Sequence, residues 1–440
     1  MKFLDWSTTL IDKETLLKMA NFFADRQGTC LLYSGGNHDS ANTSYLFLFP
    51  FNHFEIIDER DPWEVLKSKL DPNAFTVGFL HYEMGFDEIN NDLKAYFQQS
   101  AFILIVDHQT GLSKILIEPK AFDTLSDVDL AFIENFKTKS FFENWLKTLP
   151  EIETQPLDLN EPLTILKNLT SLTNYQEKIA VIKEMILDGD VYQVNLSHEI
   201  VLSGKRNPFK VFYKLAKMNP APFSAYFKLK DFTLVSSSPE RLLRKNKDIL
   251  ETRPIKGTIP RGKTDAQDLQ NKENLLNSAK DHAELLMITD LMRNDLGKIS
   301  VAGSVRTLKI SRLEAYHNVY HLLSIIQSNP MKHIHPVDLL KACFPGGSVT
   351  GCPKLMAMRV IKKIEKRKRG IYTGSIGYFK GSDFDFNIAI RTLVFTDDKI
   401  NIQLGGAITI DSDPVSEYEE TLQKGASIFH CLNLFKHEEN

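Results

Sequence analysis

Residues 374–404 read GSIGYFKGSDFDFNIAIRTLVFTDDKINIQL. Three apolar-rich runs, Gly374 to Phe379, Phe386 to Phe395 and Lys399 to Leu404, are separated by short polar stretches. That pattern predicts successive β-strands joined by turns. Val191 to Leu196, Ser224 to Leu229 and Thr233 to Ser237 have the same character, and so, nearer the N-terminus, do Tyr45 to Phe49, Thr76 to Leu80 and Phe102 to Val106. Helical signals lie between them. Asn174 with Glu177 forms a capping box, Ile179, Ile182 and Ile186 make one apolar face, and Gly189 stands where a helix would stop. Strands and helices in irregular order favour an α+β arrangement over a doubly wound parallel sheet. A polar, Pro-containing stretch from Leu149 to Leu163 separates a β-rich region, residues 1–148, from a motif-dense region, residues 164–440; the two could also intertwine as one structural domain.

The chain has 440 residues, 42% of them hydrophobic, and a formal charge of −3. This suits a soluble globular protein with a substantial core and offers no footprint for nucleic acid. The one basic run, Lys362 to Arg369, contains Ile364 and Glu365 and reads as a solvated helix end. Cys30, Cys343, Cys352 and Cys431 are scattered, without the pairing of a zinc site or a disulfide framework, and fit reduced thiols in a cytoplasmic protein. The N-terminus lacks a signal core, and the longest apolar run, Ala101 to Val106, is far short of the ~20 residues that span a bilayer. No membrane association is expected.

The most informative chemistry lies in Arg253-Pro254-Ile255-Lys256-Gly257-Thr258. A primary amine between a φ-locking proline and a permissive glycine is held by backbone geometry. To act as a nucleophile Lys256 must lose its proton, which calls for burial or a cationic neighbour, and Arg253 and Arg261 are near in sequence. Two carboxylate-bearing helices are also legible. Asp413 before Pro414 caps a helix that carries Glu417, Glu420 and Lys424 on one face. A second helix, from about His282 to Leu296, has Asp281 and Glu284 at its start. Carboxylates from two separate segments, with only oxygen donors, suit a hard cation such as Mg²⁺.

Further stretches carry a family resemblance. They are Ser238-Pro239-Glu240-Arg241, Asp290-Leu291-Met292-Arg293-Asn294-Asp295-Leu296-Gly297, Phe344-Pro345-Gly346-Gly347-Ser348-Val349-Thr350-Gly351-Cys352-Pro353-Lys354, and Gly405-Gly406-Ala407-Ile408 followed by Glu420-Thr421-Leu422-Gln423-Lys424. In this order, from about Asn174 to the C-terminus, they resemble the chorismate-utilising enzymes, which include anthranilate, aminodeoxychorismate, isochorismate and salicylate synthases. The Pro-Ile-Lys-Gly-Thr version resembles the component I branch of aminodeoxychorismate synthases, whereas anthranilate synthases usually carry alanine at the position of Lys256. The resemblance implies an anthranilate-synthase-type fold, two facing antiparallel sheets flanked by helices with the active site in the cleft.

The resemblance also implies roles. Glu284 and Glu420 match direct magnesium ligands, with Asp281 and Glu417 near enough to hold outer waters. Arg391 and Lys424 match binders of the substrate carboxylates, a task suited to the bidentate fork of arginine. Gly405 and Gly406 permit close backbone approach, so that amides near Ala407 can donate to the carboxylates. Tyr378 and Thr350 are expected as polar lining, and His321 matches an active-site histidine near the leaving group. Members that add water have a lysine base where this chain has Gln193, and an amide has no useful basicity. Lys256 then implies a covalent route, with attack at C2 while Glu240, protonated near pH 7, acts as general acid for loss of the C4 hydroxyl. Ammonia would follow at C4. No Cys-His-Glu glutaminase unit is recognisable, so the resemblance implies a separate glutamine amidotransferase subunit as the ammonia source, and another enzyme for release of pyruvate, since no lyase domain follows Asn440. Segments around Ser34 and Tyr82 resemble an amino-acid pocket, which would take tryptophan, nothing, or simply be core. Two other readings stay open: an anthranilate synthase component I, and an inactive scaffold for a glutaminase.

Overall fold

The computed structural model describes residues 2–4, 11–36, 40–57, 59–86, 92–152, 163–167, 170–316 and 318–434. Most of the expected boundary at Leu149–Leu163 lies outside these residues.

The strands form one hydrogen-bonded antiparallel network whose two arms meet at the paired long strands Thr43–Ile57 and Leu93–Asp107. The first arm runs from Thr43–Ile57 through Cys30–Tyr33, Phe223–Lys228, Thr233–Ser238, Thr392–Phe395 and Lys399–Ile408 to Gln193–Ser203. The second runs from Leu93–Asp107 through Phe75–Leu80, Ser375–Lys380, Asp383–Asn387, Arg241–Asn246 and Ile249–Arg253 to Val319–Ser328, which also pairs with Ile255–Pro260 and Arg306–Ala315. Each arm therefore contains strands from both sides of the Leu149–Leu163 stretch.

The period-2 alternation of these strands decides what faces what. Phe47, Phe227 and Leu234 of the first arm pack in one cluster with Phe75, Val77, Phe79 and Ile376 of the second. The two arms are thus the two facing sheets of the expected α+β architecture. The opposite faces are covered by helices. Leu46 and Leu48 turn outward onto a layer that includes Leu16 and Leu17 of helix Lys13–Phe22, Phe212 and Leu215 of Pro208–Met218, and Phe429 of Pro414–Leu432. On the second arm, Leu243, Phe379 and Phe386 meet Ile288, Met292 and Leu296 of Ala279–Gly297. Each such apolar side chain, fully buried, is stabilised by ~1.5–3 kcal/mol relative to exposure.

Two local expectations need correction. The helix expected to be capped at Asn174 is capped three residues earlier, at Ser171, and spans Leu172–Leu187, because the Ser171 hydroxyl accepts the Asn174 N–H at 3.2 Å. The run Phe386 to Phe395 is not one strand. It breaks between Asn387 and Thr392, where Arg391 takes the left-handed conformation at φ 52°. Such a conformation is strained for a non-glycine residue and marks the point where the chain leaves the sheet.

The basic run also differs from its reading. Glu365 and Arg369 are 7% and 1% exposed, and the Arg369 guanidinium donates to Glu365 at 2.7 and 3.0 Å. It also donates to the carbonyls of Val349 and Asn195 and stacks over Tyr82 at 4.8 Å. Arg369 is an interior strut between segments distant in sequence.

Candidate functional site

A cleft of about 1050 Å³, open solvent included, lies where the far ends of the two arms approach the helices Ala279–Gly297 and Pro414–Leu432. It gathers Glu240, Lys256, Asp281, Glu284, His321, Arg391, Gly405, Ala407, Glu417, Glu420 and Lys424 into one site. Gly406 abuts it: a β-carbon there would lie 3.5 Å from Glu417 Oε2 and 3.8 Å from Lys424 Nζ.

Lys256 is on the strand Ile255–Pro260, whose register against Val319–Ser328 shifts between Lys256 and Thr258. Gly257 makes that bulge at φ 73°, and a β-carbon on it would come within 3.0 Å of Asp281 and Leu275. The glycine thus re-aims Lys256, whose Nζ donates to the Ser348 carbonyl at 3.2 Å. Burial pushes the Lys256 amine below its ordinary value; Glu284 opposes this and the Lys424 charge reinforces it. The cationic neighbours expected from sequence do not serve. Arg253 is paired with Glu251 at 2.9 Å and Arg261 with Asp268 at 2.6 Å, whereas Lys424 comes from the C-terminal helix.

Glu240 is 3% exposed and its Oε1 accepts the Ile255 N–H at 3.2 Å. Its neighbour Arg241 is committed elsewhere, to Asp385 and Glu251. Burial raises the Glu240 carboxyl to about 7, against the nearby Ser348 side chain, the Ile255 hydrogen bond and the Lys256 charge. A protonated carboxyl is therefore accessible near neutrality. Because the folded value lies above the ordinary 4.5, the native state holds this proton longer than the unfolded chain. This group's contribution to stability is thus expected to fall by on the order of 3 kcal/mol as pH rises from about 4.5 to about 7, then level off. Urea unfolding at pH 5 and pH 7.5 checks it: Glu240→Gln should lose less stability across that interval than the wild type, and identical losses would refute the assignment.

The acidic wall is built from two helix starts. Ser278 caps Ala279–Gly297 and Asp413 caps Pro414–Leu432, placing Asp281 and Glu417 on the first turns and Glu284 and Glu420 on the turns that follow. Burial raises the Glu284 carboxyl, with Lys256 and Lys280 opposing. The Lys424 ammonium, 2.7 Å away, holds Glu420 below its usual range. Lys424 also donates to the Gly405 carbonyl at 3.2 Å. Lys280, which the sequence reading did not single out, spans the helices at 3.3 Å from Glu417 and 4.0 Å from Glu284. Among the described residues no three carboxylate, imidazole or thiol groups converge as a cation shell. The two-helix wall nevertheless draws in an ammonium, and Glu284 with Glu420 would leave most of a hard cation's shell to water and an anionic substrate, the arrangement Mg²⁺ favours.

His321 lies in the cleft 1% exposed, its Nδ1 sharing a 2.7 Å hydrogen bond with Thr258 Oγ1 across the strand pair. Other expected residues are elsewhere. Thr350 is fully buried and its hydroxyl donates to the Gly346 carbonyl at 2.9 Å, so Ser348 and Val349 line the cleft instead. Tyr378 is on the inner face between the arms, its hydroxyl 3.2 Å from that of Tyr45. There it lines a second, smaller cavity with Tyr33, Phe223, Asp385 and Asn387. Ser34 and Tyr82 do not line that cavity: the Ser34 N–H is accepted by Ser44 at 2.9 Å, and Tyr82 packs under Arg369.

No helix among the described residues is long and apolar enough to cross a membrane. Comparison with known proteins places the site in a family. The chain is 34% identical over 374 residues to aminodeoxychorismate synthase component 1 of Bacillus subtilis, covering 82% of this chain and 77% of that one. It is 36% identical over 337 residues to anthranilate synthase component 1 of Aquifex aeolicus, covering 76% and 67%. The crystal structure of anthranilate synthase component I from Streptococcus pneumoniae superposes with a TM-score of 0.73 at 26% identity, over 89% of this chain and 93% of that one. Residues 29–430, which hold every group of the cleft, match the chorismate binding enzyme family, and the chain belongs to it.

Proposed function

We propose that this chain is the chorismate-aminating component of an aminodeoxychorismate synthase, converting chorismate and ammonia to 4-amino-4-deoxychorismate and water. The observation that carries this reading is the pair formed by Lys256 and Glu240 at Ser348: a lysine amine shifted down by burial, beside a carboxyl shifted up to about 7. One group is poised to give electrons and the other to give a proton. The Lys256 amine attacks C2 of the ring, both ring double bonds shift by one position around through C1, C6 and C5, and the C4 hydroxyl departs as water with the proton of Glu240. Ammonia then attacks C4, its surplus proton returns to Glu240, and the lysine leaves C2 as its amine, restoring both double bonds to their original places. Arg391 and Lys424 would hold the two substrate carboxylates.

Glu284 and Glu420 would hold Mg²⁺, which when bound neutralises and orients a substrate carboxylate. Chelation is expected to abolish turnover, and Glu284→Gln to raise the Mg²⁺ concentration needed for half-maximal rate by on the order of tenfold or more. The same variant should weaken thermal stabilisation of the free protein by Mg²⁺, and an unchanged Mg²⁺ response would refute the ligand set.

Ammonia is proposed to come from a separate glutaminase subunit, in keeping with relatives named as component 1. A second reading, anthranilate formation, is favoured by the similarity to anthranilate synthase components. Product analysis of the purified chain with chorismate, Mg²⁺ and an ammonium salt decides between them. 4-Amino-4-deoxychorismate supports the proposal; anthranilate as the main product overturns it, and no turnover by folded protein points to a scaffold.

A further inference from the structure

Asn195 lies on the strand Gln193–Ser203, opposite Ala407 of the neighbouring strand. Its backbone is held from both sides: the N–H donates to the Thr350 carbonyl at 2.8 Å, and the carbonyl accepts from Arg369 Nη2 at 2.6 Å. Arg369 is in turn locked by Glu365, so this position has little freedom to move. The side chain lines the cleft at 6% exposure, and among the described residues its Nδ2 has no hydrogen-bond partner.

A buried amide donor without an acceptor has lost its hydrogen bonds to water and gained none in return, so native interiors pair nearly all such groups. Where one stays unpaired on a rigid strand and borders a cleft, the acceptor is expected from what fills the cleft. Its surroundings define that acceptor. Ala407 is its strand partner, and two residues back Gly405 offers its carbonyl to the Lys424 ammonium, which makes this part of the wall cationic. Gln193 is also buried with an unpaired amide on the same strand face, but it does not line the cleft. The argument therefore applies to Asn195 alone.

Resting on the reading that this cleft takes chorismate, we propose that Asn195 is a substrate-positioning residue whose side-chain N–H donates to an oxygen of the bound dicarboxylate. The role is separate from nucleophile activation: it acts on how chorismate sits, not on which group attacks it.

Asn195→Leu keeps the volume and removes the donor; Asn195→Asp keeps the shape and puts an anionic acceptor in its place. The readouts are the Kd for chorismate without ammonia, the KM values for chorismate and for ammonium, and the thermal midpoint. Asn195→Leu is expected to raise both chorismate constants on the order of ten- to a hundredfold. The ammonium KM should stay within about twofold, and the thermal midpoint should hold or rise, because an unpaired buried donor has been removed. Asn195→Asp should impair chorismate binding at least as much, by repulsion. Chorismate constants within about twofold of wild type in both variants, or an increase confined to ammonium, would overturn the proposal. So would a lowered midpoint with unchanged binding, the mark of a structural amide. If the wild type makes anthranilate, the functional reading falls while the chorismate constants still decide the role of Asn195; if it binds no chorismate, both fall.

Discussion

Lys256→Ala is expected to lose 4-amino-4-deoxychorismate formation by on the order of 10⁴-fold or more, the scale of removing a nucleophile from an assembled site. The fold should tolerate the change. Lys256 is half-buried, and its one direct hydrogen bond among the described residues is to the Ser348 carbonyl, so truncation removes an amine without opening a core cavity. Chorismate should still bind, since Arg391, Lys424 and the acidic wall are untouched. Mass spectrometry gives an independent readout: wild-type protein quenched during turnover should carry an adduct at Lys256, and the variant none. Turnover in the variant within about tenfold of wild type would show that ammonia reaches C4 without a covalent intermediate. The partner variant Glu240→Gln keeps the shape but cannot supply the proton, and its chorismate binding should likewise survive.

Arg369→Met is expected to destabilise the protein by about 3–5 kcal/mol, the cost of leaving a buried charge without its partner. Glu365 is fully buried in its side chain and, among the described residues, would keep only Arg367, at 3.5 Å, as a cationic neighbour, together with the Ser197 hydrogen bonds. The carbonyls of Val349 and Asn195 would lose a donor at the same time. Lys363→Met, in the same basic run but exposed, serves as the comparison and should stay within about 0.5 kcal/mol of wild type. Urea unfolding of the two variants checks this; a loss below about 1 kcal/mol for Arg369→Met would show that the interior relaxes around Glu365. Because Arg369 props the strand and loop that floor the cleft, the variant should also weaken chorismate binding in whatever fraction remains folded.

How far the sequence could be read depended on the range of the signal. Capping and spacing are local. Asp413-Pro414 opens a helix where expected, and Glu417, Glu420 and Lys424 share its face, because three- and four-residue offsets are set by the helix itself. Asp281 and Glu284 follow the same rule. Gly257 beside Lys256 was legible as a special backbone position, and the bulge bears that out. Alternation identified most strands but could not see the break at Arg391, since apolar residues continue through it and only the surrounding packing imposes the left-handed turn.

The failures share a cause. Tyr378 and Thr350 were expected as polar lining of the cleft, yet a strand residue faces whichever layer its register dictates, and Thr350 spends its hydroxyl on its own loop. Arg253 and Arg261 were near Lys256 in sequence but were taken by carboxylates within reach of their own side chains. The Lys362–Arg369 run read as solvent-facing because charge runs usually are; nothing local shows that Arg369 turns inward to Glu365. The sequence by itself determined the strands and helices, the family motifs, and the presence of a constrained lysine with carboxylates on two helix faces, since each is set by interactions spanning a few residues. Only the tertiary structure decided which of those groups share a cleft, which lose their water, and hence that a lysine titrates low and a glutamate near 7 beside it, because desolvation comes from elements brought together across hundreds of residues.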